Sequence, residues 1–270
     1  MLLSWLLLAY RKGRSASAAF VCLGLCLGVM LGGRSAWGQK ELKVAAAADL
    51  QPVMPALAQR YERETGIKLV VSFGSSATLV EQILNGAPFD IFLAADYVFP
   101  EKVVAAGLAD SAQPTPYAKG TLVLWSRKDS GLLPLSMETL TDPRVKTIAI
   151  ANELHAPYGR AAATALRNMK LYDKVSPHFV MGENISQTAQ FVESGNAQLG
   201  FISLTAASTE HFKEIGTYVL VPTSQYPEIR QCAVIMAKSE RKAEAQIFLN
   251  WLLSPAVQGD LPKVGLRPVQ

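Results

Sequence analysis

Short apolar runs alternate with segments of helical periodicity along most of this chain. Runs rich in Val, Ile, Leu and Ala predict strands at 42–47, 68–73, 90–94, 121–126, 147–151, 178–181, 199–204, 218–221 and 232–237. Apolar residues at helical spacing predict helices at 53–64, 78–85, 100–106, 159–169, 186–193 and 240–253. Most of the strands are continuously apolar, which indicates sheets covered on both faces. Together with the strand–helix alternation, this predicts a parallel, doubly wound α/β fold.

Two polar stretches that carry proline, 110–116 and 222–227, interrupt this alternation. If the chain crosses between two lobes at both of them, lobe I takes residues 39–118 plus 225–270 and lobe II takes residues 119–224. The pattern therefore predicts two doubly wound sheets joined by a hinge.

The first 38 residues have the features of an export signal. Three basic residues precede a charge-free stretch from 15 to 33, and Ala36-Trp37-Gly38 offers small residues for cleavage before Gln39. An uncleaved membrane anchor is the alternative, because the apolar stretch is close to the ~18 residues that span a bilayer. We predict a signal peptide over 1–38 and an exported, periplasmic protein, tethered to the membrane if the leader is not cleaved.

Charge and cysteine content narrow the possible partners. Lys and Arg total 26 against 22 Asp and Glu, but four of the basic residues lie in the first 38 positions, so the exported part is formally neutral. Nucleic acid binding then lacks an electrostatic driving force, and we predict no nucleic acid partner. Cys22 and Cys26 lie in the leader, which leaves Cys232 without a disulfide partner. We expect Cys232 to be a small buried hydrophobic residue of its strand.

Motifs for catalysis or for binding a metal cation are scarce. The histidines, His155, His178 and His211, form no His-x-x-x-His pair, and there is no Cys-x-x-Cys, Walker or Gly-x-Gly-x-x-Gly motif. Gly74-Ser75-Ser76-Ala77 lacks the second glycine of a hydrolase nucleophile elbow. We therefore predict a protein that is not an enzyme and has neither a cofactor nor a free metal cation. A secreted hydrolase is the alternative, and it requires His155 to reach Ser76 with a carboxylate behind the imidazole.

Small and hydroxyl residues recur where a predicted strand gives way to a helix. Four junctions share this feature, at 45–50, 73–78, 156–159 and 182–186. Helix starts expose unpaired backbone N–H groups, and each carries about +0.5 elementary charge, so four converging starts sum to roughly +2. Ligands bind such sheets at the carboxyl ends of strands. With two junctions from each lobe, the sequence predicts a cleft that holds a small tetrahedral oxyanion through N–H and O–H donors alone.

Six segments carry a further signal through their order and spacing, namely 41–50, 73–79, 85–96, 156–159, 184–187 and 199–202. The third, Asn-Gly-Ala-Pro-Phe-Asp-Ile-Phe-Leu-Ala-Ala-Asp, is the most specific. Together they resemble the periplasmic molybdate-binding proteins, the solute receptors of molybdate ABC transporters, over essentially the whole exported chain. The resemblance implies a two-lobed periplasmic binding protein fold of type II, molybdate or tungstate as the ligand, a membrane permease as the partner, and a monomer.

The resemblance also implies ligand-binding residues at the four junctions. It assigns the hydroxyl and N–H of Ser76, the N–H and hydroxyl of Tyr158, and the N–H of Ile185 to the oxyanion. Where the family usually has Ser, Thr or Asn at the first junction, this chain has Asp49, and where many relatives have a tyrosine it has Ser203. The alternatives are plain structural roles: Ser76 as a helix cap, Tyr158 as a surface ring and Ile185 as a core contact.

Asp49 conflicts with a dianionic ligand. A carboxylate repels a neighbouring anion by about 4 kcal/mol at ~4 Å and an effective dielectric constant near 20. Asp49 either caps its own helix, which we expect, or is protonated, or accepts a proton from a protonated ligand such as hydrogen phosphate. Within the same class of protein, the alternative is a receptor for another tetrahedral oxyanion, namely sulfate, phosphate or phosphonate.

Overall fold

The structure, a computed structural model, describes residues 40–269. The predicted signal peptide at 1–38 lies outside these residues. Strands form where the sequence predicts continuous apolar runs, and one additional strand, β4, appears. The strands are β1 Lys40–Ala47, β2 Ile67–Gly74, β3 Ile91–Ala94, β4 Thr115–Gly120, β5 Leu122–Arg127, β6 Ile148–Ala151, β7 Phe179–Gly182, β8 Leu199–Ser203, β9 Gly216–Leu220 and β10 Ile229–Ile235.

The six predicted helices are all present, and residues 40–269 form four additional short helices. The helices are α1 Met54–Thr65, α2 Ser76–Leu84, α3 Val98–Ala105, α4 Pro157–Asn168, α5 Tyr172–Val175, α6 Ile185–Glu193, α7 Leu204–Ala207, α8 Glu210–Ile215, α9 Lys242–Leu252 and α10 Pro255–Asp260. A 3-10 turn, Ala48–Leu50, follows β1. Within residues 40–269, no helix combines the length and the apolar character needed to cross a membrane.

The strands form two five-stranded sheets, in the orders β2-β1-β3-β10-β4 and β7-β6-β8-β5-β9. Both sheets are mixed, so the purely parallel arrangement expected from the sequence is wrong. β10 runs antiparallel to β3 and β4, and β5 runs antiparallel to β8 and β9. Each of these two strands enters its sheet directly after a crossing from the other sheet, and apolar periodicity carries no information about strand direction.

The chain crosses between the sheets at Thr121 and over residues 221–228. We call the part built on the first sheet lobe I and the part built on the second sheet lobe II. β4, which the sequence did not predict, begins inside the polar stretch 110–116. It is an edge strand, which is where a sheet tolerates a residue such as Pro116. The boundaries 39–118 plus 225–270 and 119–224 stay a prediction.

Helices cover both faces of each sheet, which explains the continuous apolar strands. In β1, Val44 packs in the cluster beneath α1 and α9, while the adjacent Ala45 packs in the cluster beneath α2 and α3. In β5, Leu124 and Trp125 likewise belong to clusters on opposite faces. Burying one large apolar side chain contributes about 1.5–3 kcal/mol to stability, so the clusters on the two faces of each sheet hold the carboxyl ends of its strands in fixed positions.

Candidate functional site

The four predicted junctions meet at one small cavity between the two lobes. Asp49, Ser76, Tyr158 and Ile185 all line it, together with Ala47, Ala48, Gly74, Ser75, Ala95, Ala156, Pro157 and Asn184. The cavity volume is about 10 Å³. Pockets for organic cofactors measure roughly 300–1,000 Å³, so this enclosure suits only a compact ligand.

Backbone N–H groups reach the cavity because of how the helices begin. The Ser75 hydroxyl caps α2 by accepting from the Thr78 N–H at 3.0 Å. Asn184 Oδ1 caps α6 by accepting from the N–H groups of Ser186 and Gln187, each at 3.0 Å. The first N–H groups of a helix lack an intrahelical acceptor, and these caps pair with N–H groups that lie after Ser76 and Ile185. Within residues 40–269, the N–H groups of Ser76, Tyr158 and Ile185 have no hydrogen-bond partner.

Ser76 is not the cap of its helix, because Ser75 takes that role. The buried Ser76 Oγ accepts from the Ala95 N–H at 3.2 Å. A hydroxyl that accepts one bond still has its proton to donate. The plain cap considered as an alternative for Ser76 is therefore wrong, and its N–H and O–H are two donors at the cavity wall.

Asp49 lies in a buried network instead of capping the 3-10 turn that contains it. Its side chain is only 1% exposed, and Oδ2 accepts from Tyr158 Oη at 3.1 Å and from Gln231 Nε2. Oδ1 has no partner among residues 40–269, and the turn has no side-chain cap. The expectation that Asp49 caps its own helix is therefore wrong. Burial raises the pKa of Asp49 to about 7, against the opposing effect of the bonds from Tyr158 and Gln231 and of the backbone N–H of Asp49 itself.

Tyr158 contributes differently from the expectation. Its ring is buried rather than at the surface, and its hydroxyl donates to Asp49. Burial, followed by the charge of Asp49, raises the pKa of Tyr158 well above its ordinary value, so the phenol remains a proton donor. The hydroxyl also lies against β4, where a Cβ on Gly120 would come within 2.2 Å of Oη. Gly120 thus makes room for the phenol.

Gln231 is the residue of this network that sequence reasoning missed. It lies in β10 at a register shift between Gln231 and Cys232, and such irregularities redirect side chains. Gln231 is fully buried, and its Oε1 has no partner in the described part of the chain. The available signal was a lone amide next to the apolar run 232–237.

Ser203 caps α7 by accepting from the Ala206 N–H at 3.3 Å.

The contacts across the cleft do not pair His155 with Ser76. His155 Nδ1 lies 3.1 Å from Glu183 Oε1, so a carboxylate does stand behind this imidazole. The Glu183 side chain is, however, 51% exposed. No hydrogen bond joins His155 to Ser76 within residues 40–269; the His155 carbonyl accepts from the Ala77 N–H at 3.2 Å instead. The same residues contain no group of three or more His, Cys, Asp or Glu that could hold a metal ion.

The model of the family described as bacterial extracellular solute-binding protein matches residues 42–267. The chain belongs to this family. Among the relatives of this solute-binding protein, Molybdate-binding protein ModA of Azotobacter vinelandii is 38% identical over 215 residues, covering 80% of this chain and 85% of that protein. Molybdate-binding protein ModA of Rhodobacter capsulatus is 32% identical over 250 residues, covering 93% and 94%.

A solved structure agrees with these relatives. The periplasmic molybdate-binding protein of Azotobacter vinelandii matches this solute-binding protein with a TM-score of 0.80 and 34% identity, covering 85% of this chain and 100% of that chain. The predicted two-lobed periplasmic binding protein fold is thereby confirmed.

Proposed function

We propose that this solute-binding protein captures molybdate or tungstate outside the cytoplasm and delivers it to the membrane permease of an ABC transporter. One observation carries the proposal: helix starts from both lobes converge on a single cavity, and its lining, as far as residues 40–269 form it, contains no Lys, Arg or His. Such a cavity neutralises a small anion through backbone dipoles and hydroxyl groups. The two ModA relatives support the choice of anion.

Ser76, Tyr158, Ile185 and Asp49 are the proposed ligand-binding residues. Ser76 donates its N–H and O–H, and Tyr158 and Ile185 donate backbone N–H groups, since the Tyr158 hydroxyl is engaged by Asp49. Similar dianions present the same charge to these fixed donors. Selection against sulfate therefore depends on the size of the cavity and the spacing of its donors.

A receptor for hydrogen phosphate is the second candidate, and Asp49 is the observation that favours it. If ionised, its unpartnered Oδ1 would accept the proton of a protonated ligand. Molybdate and tungstate have no such proton to offer near neutral pH.

Isothermal titration of the purified chain with molybdate, tungstate, sulfate and phosphate tests the assignment. We expect tight binding of molybdate or tungstate and weak binding of sulfate. Tight phosphate binding with no heat from molybdate would overturn the proposal in favour of the phosphate receptor.

A further inference from the structure

Among the described residues 40–269 that line the cavity, Asp49 is the only acidic one, and its two side-chain oxygens have different surroundings. Oδ2 is held by Tyr158 of α4 and Gln231 of β10, whereas Oδ1 is buried without a partner in residues 40–269. An unpartnered polar oxygen at this depth calls for a ligand that pairs with it.

In the part of the chain that the structure describes, no positively charged side chain acts on the Asp49 carboxyl group. Tyr158 is a neutral phenol, and Tyr117 of β4 is a second buried phenol close enough to feel the charge of Asp49. Gly74 at the end of β2, Asn184 at the start of α6 and Thr205 of α7 do not titrate; Thr205 Oγ1 donates to the Asp49 carbonyl at 2.7 Å. The Glu183 carboxylate contacts His155 and Thr78.

We infer that Asp49 enters the oxyanion complex as the neutral carboxylic acid, with Oδ2 still accepting from Tyr158 and Gln231 and with Oδ1 donating its proton to an anion oxygen. This inference rests on the proposed function. It makes Asp49 a donor toward the anion and makes binding take up a proton from solvent, which returns to solvent when the anion leaves. No covalent bond of the anion is made or broken.

Burial of the carboxyl group prepares this state before the anion arrives. The pKa of Asp49 in the ligand-free protein is about 7, chiefly because burial disfavours the charged form. An anion beside Oδ1 raises the pKa further, because two negative charges at close range oppose each other. The free protein at neutral pH is then about half protonated at Asp49, and the complex is protonated throughout.

The dissociation constant for a dianion consequently increases as the pH rises. Below about pH 6 the proton is already present, so affinity is constant. Above about pH 7 the dissociation constant rises about tenfold per pH unit, the slope for uptake of one proton.

Isothermal titration with molybdate from pH 5.5 to 9, repeated in two buffers of different ionisation enthalpy, measures both the slope and the number of protons. We expect about half a proton per anion at pH 7 and close to one at pH 8. A flat profile with no proton uptake overturns the inference. Absence of binding even at pH 6 instead overturns the proposed function, so the two failures are distinguishable.

The variant Asp49→Asn locates the proton. Its amide N–H donates without titrating, so we expect binding that is independent of pH and tighter than wild type at pH 8. Asp90→Asn is the matched control: Asp90 is a buried acid of the same lobe that is bonded to the Lys43 N–H and to Ser239, away from the cavity. It should keep the wild-type profile. A wild-type slope in Asp49→Asn would contradict the inference.

Infrared difference spectroscopy of the wild-type protein gives a readout that needs no variant to fold. The molybdate complex at pH 8 should show the C=O stretch of a protonated carboxyl group, about tenfold stronger than in the ligand-free protein at that pH. A complex formed at pH 8 without this band would place the proton elsewhere and overturn the assignment.

Discussion

Replacing Asp49 by Asn should make the ligand-free protein more stable at alkaline pH and change little at acidic pH. In the folded state the pKa of Asp49 is raised from 3.8 to about 7 by burial. Below pH ~4 both folded and unfolded chains hold this proton, and the folded state bears no penalty. Between pH ~4 and about 7 the unfolded chain releases this proton while the folded state still holds it, so stability falls with pH across this range and levels off above about 7.

The magnitude follows from the two pKa values. The rise to about 7 corresponds to about 4 kcal/mol at ~1.4 kcal/mol per pH unit. Of this total, the wild-type protein loses about 2.5 kcal/mol of its free energy of unfolding between pH 5 and pH 8. Asparagine has almost the same shape, keeps an acceptor for Tyr158 and carries no charge.

Urea denaturation of both proteins at pH 5 and pH 8 measures this effect. The difference in free energy of unfolding, Asp49→Asn minus wild type, should increase by about 2.5 kcal/mol between the two pH values. An equal difference at both pH values would refute the reasoning, since it would mean that Asp49 titrates alike in the folded and unfolded chains.

Three further predictions test other parts of the site. Ser76→Ala should weaken molybdate binding by about 1.5–3 kcal/mol, the loss of a hydrogen bond to a charged group, whereas Ser254→Ala, at the cap of α10, should leave the dissociation constant unchanged in the same titration. Gly120→Ala should lower the free energy of unfolding by about 1–3 kcal/mol, because its Cβ overlaps the Tyr158 hydroxyl; a variant as stable as wild type in urea would contradict the packing. Cys232 should resist thiol reagents until urea unfolds the chain, because burial raises its pKa to about 12; rapid labelling of the native protein would show that the thiol is accessible.

Apolar periodicity located most elements because both faces of each sheet are buried. It failed at β4, where the polar residues and Pro116 are compatible with an edge strand only. It also gave no strand direction, which depends on the two crossings between lobes. These are tertiary properties that a local pattern does not contain.

The candidate site was predictable to the extent that it consists of helix starts. Hydroxyl and small residues at strand ends pointed to the four junctions, the resemblance assigned Ser76, Tyr158 and Ile185 within them, and all three line the cavity. The orientation of Asp49 was not predictable, because it depends on Gln231 in a strand far along the chain. A cap was the local expectation, and a long-range buried network replaced it.

In the proposed complex, main-chain amides at converging helix starts, rather than basic side chains, hold the anion. A crystal structure of the molybdate complex, with molybdenum located by its anomalous scattering, tests this most directly. We predict anion oxygens at hydrogen-bonding distance, about 2.7–3.2 Å, from the N atoms of Ser76, Tyr158 and Ile185. Molybdenum bound instead among Lys or Arg side chains, with those three amides out of reach, would contradict the account.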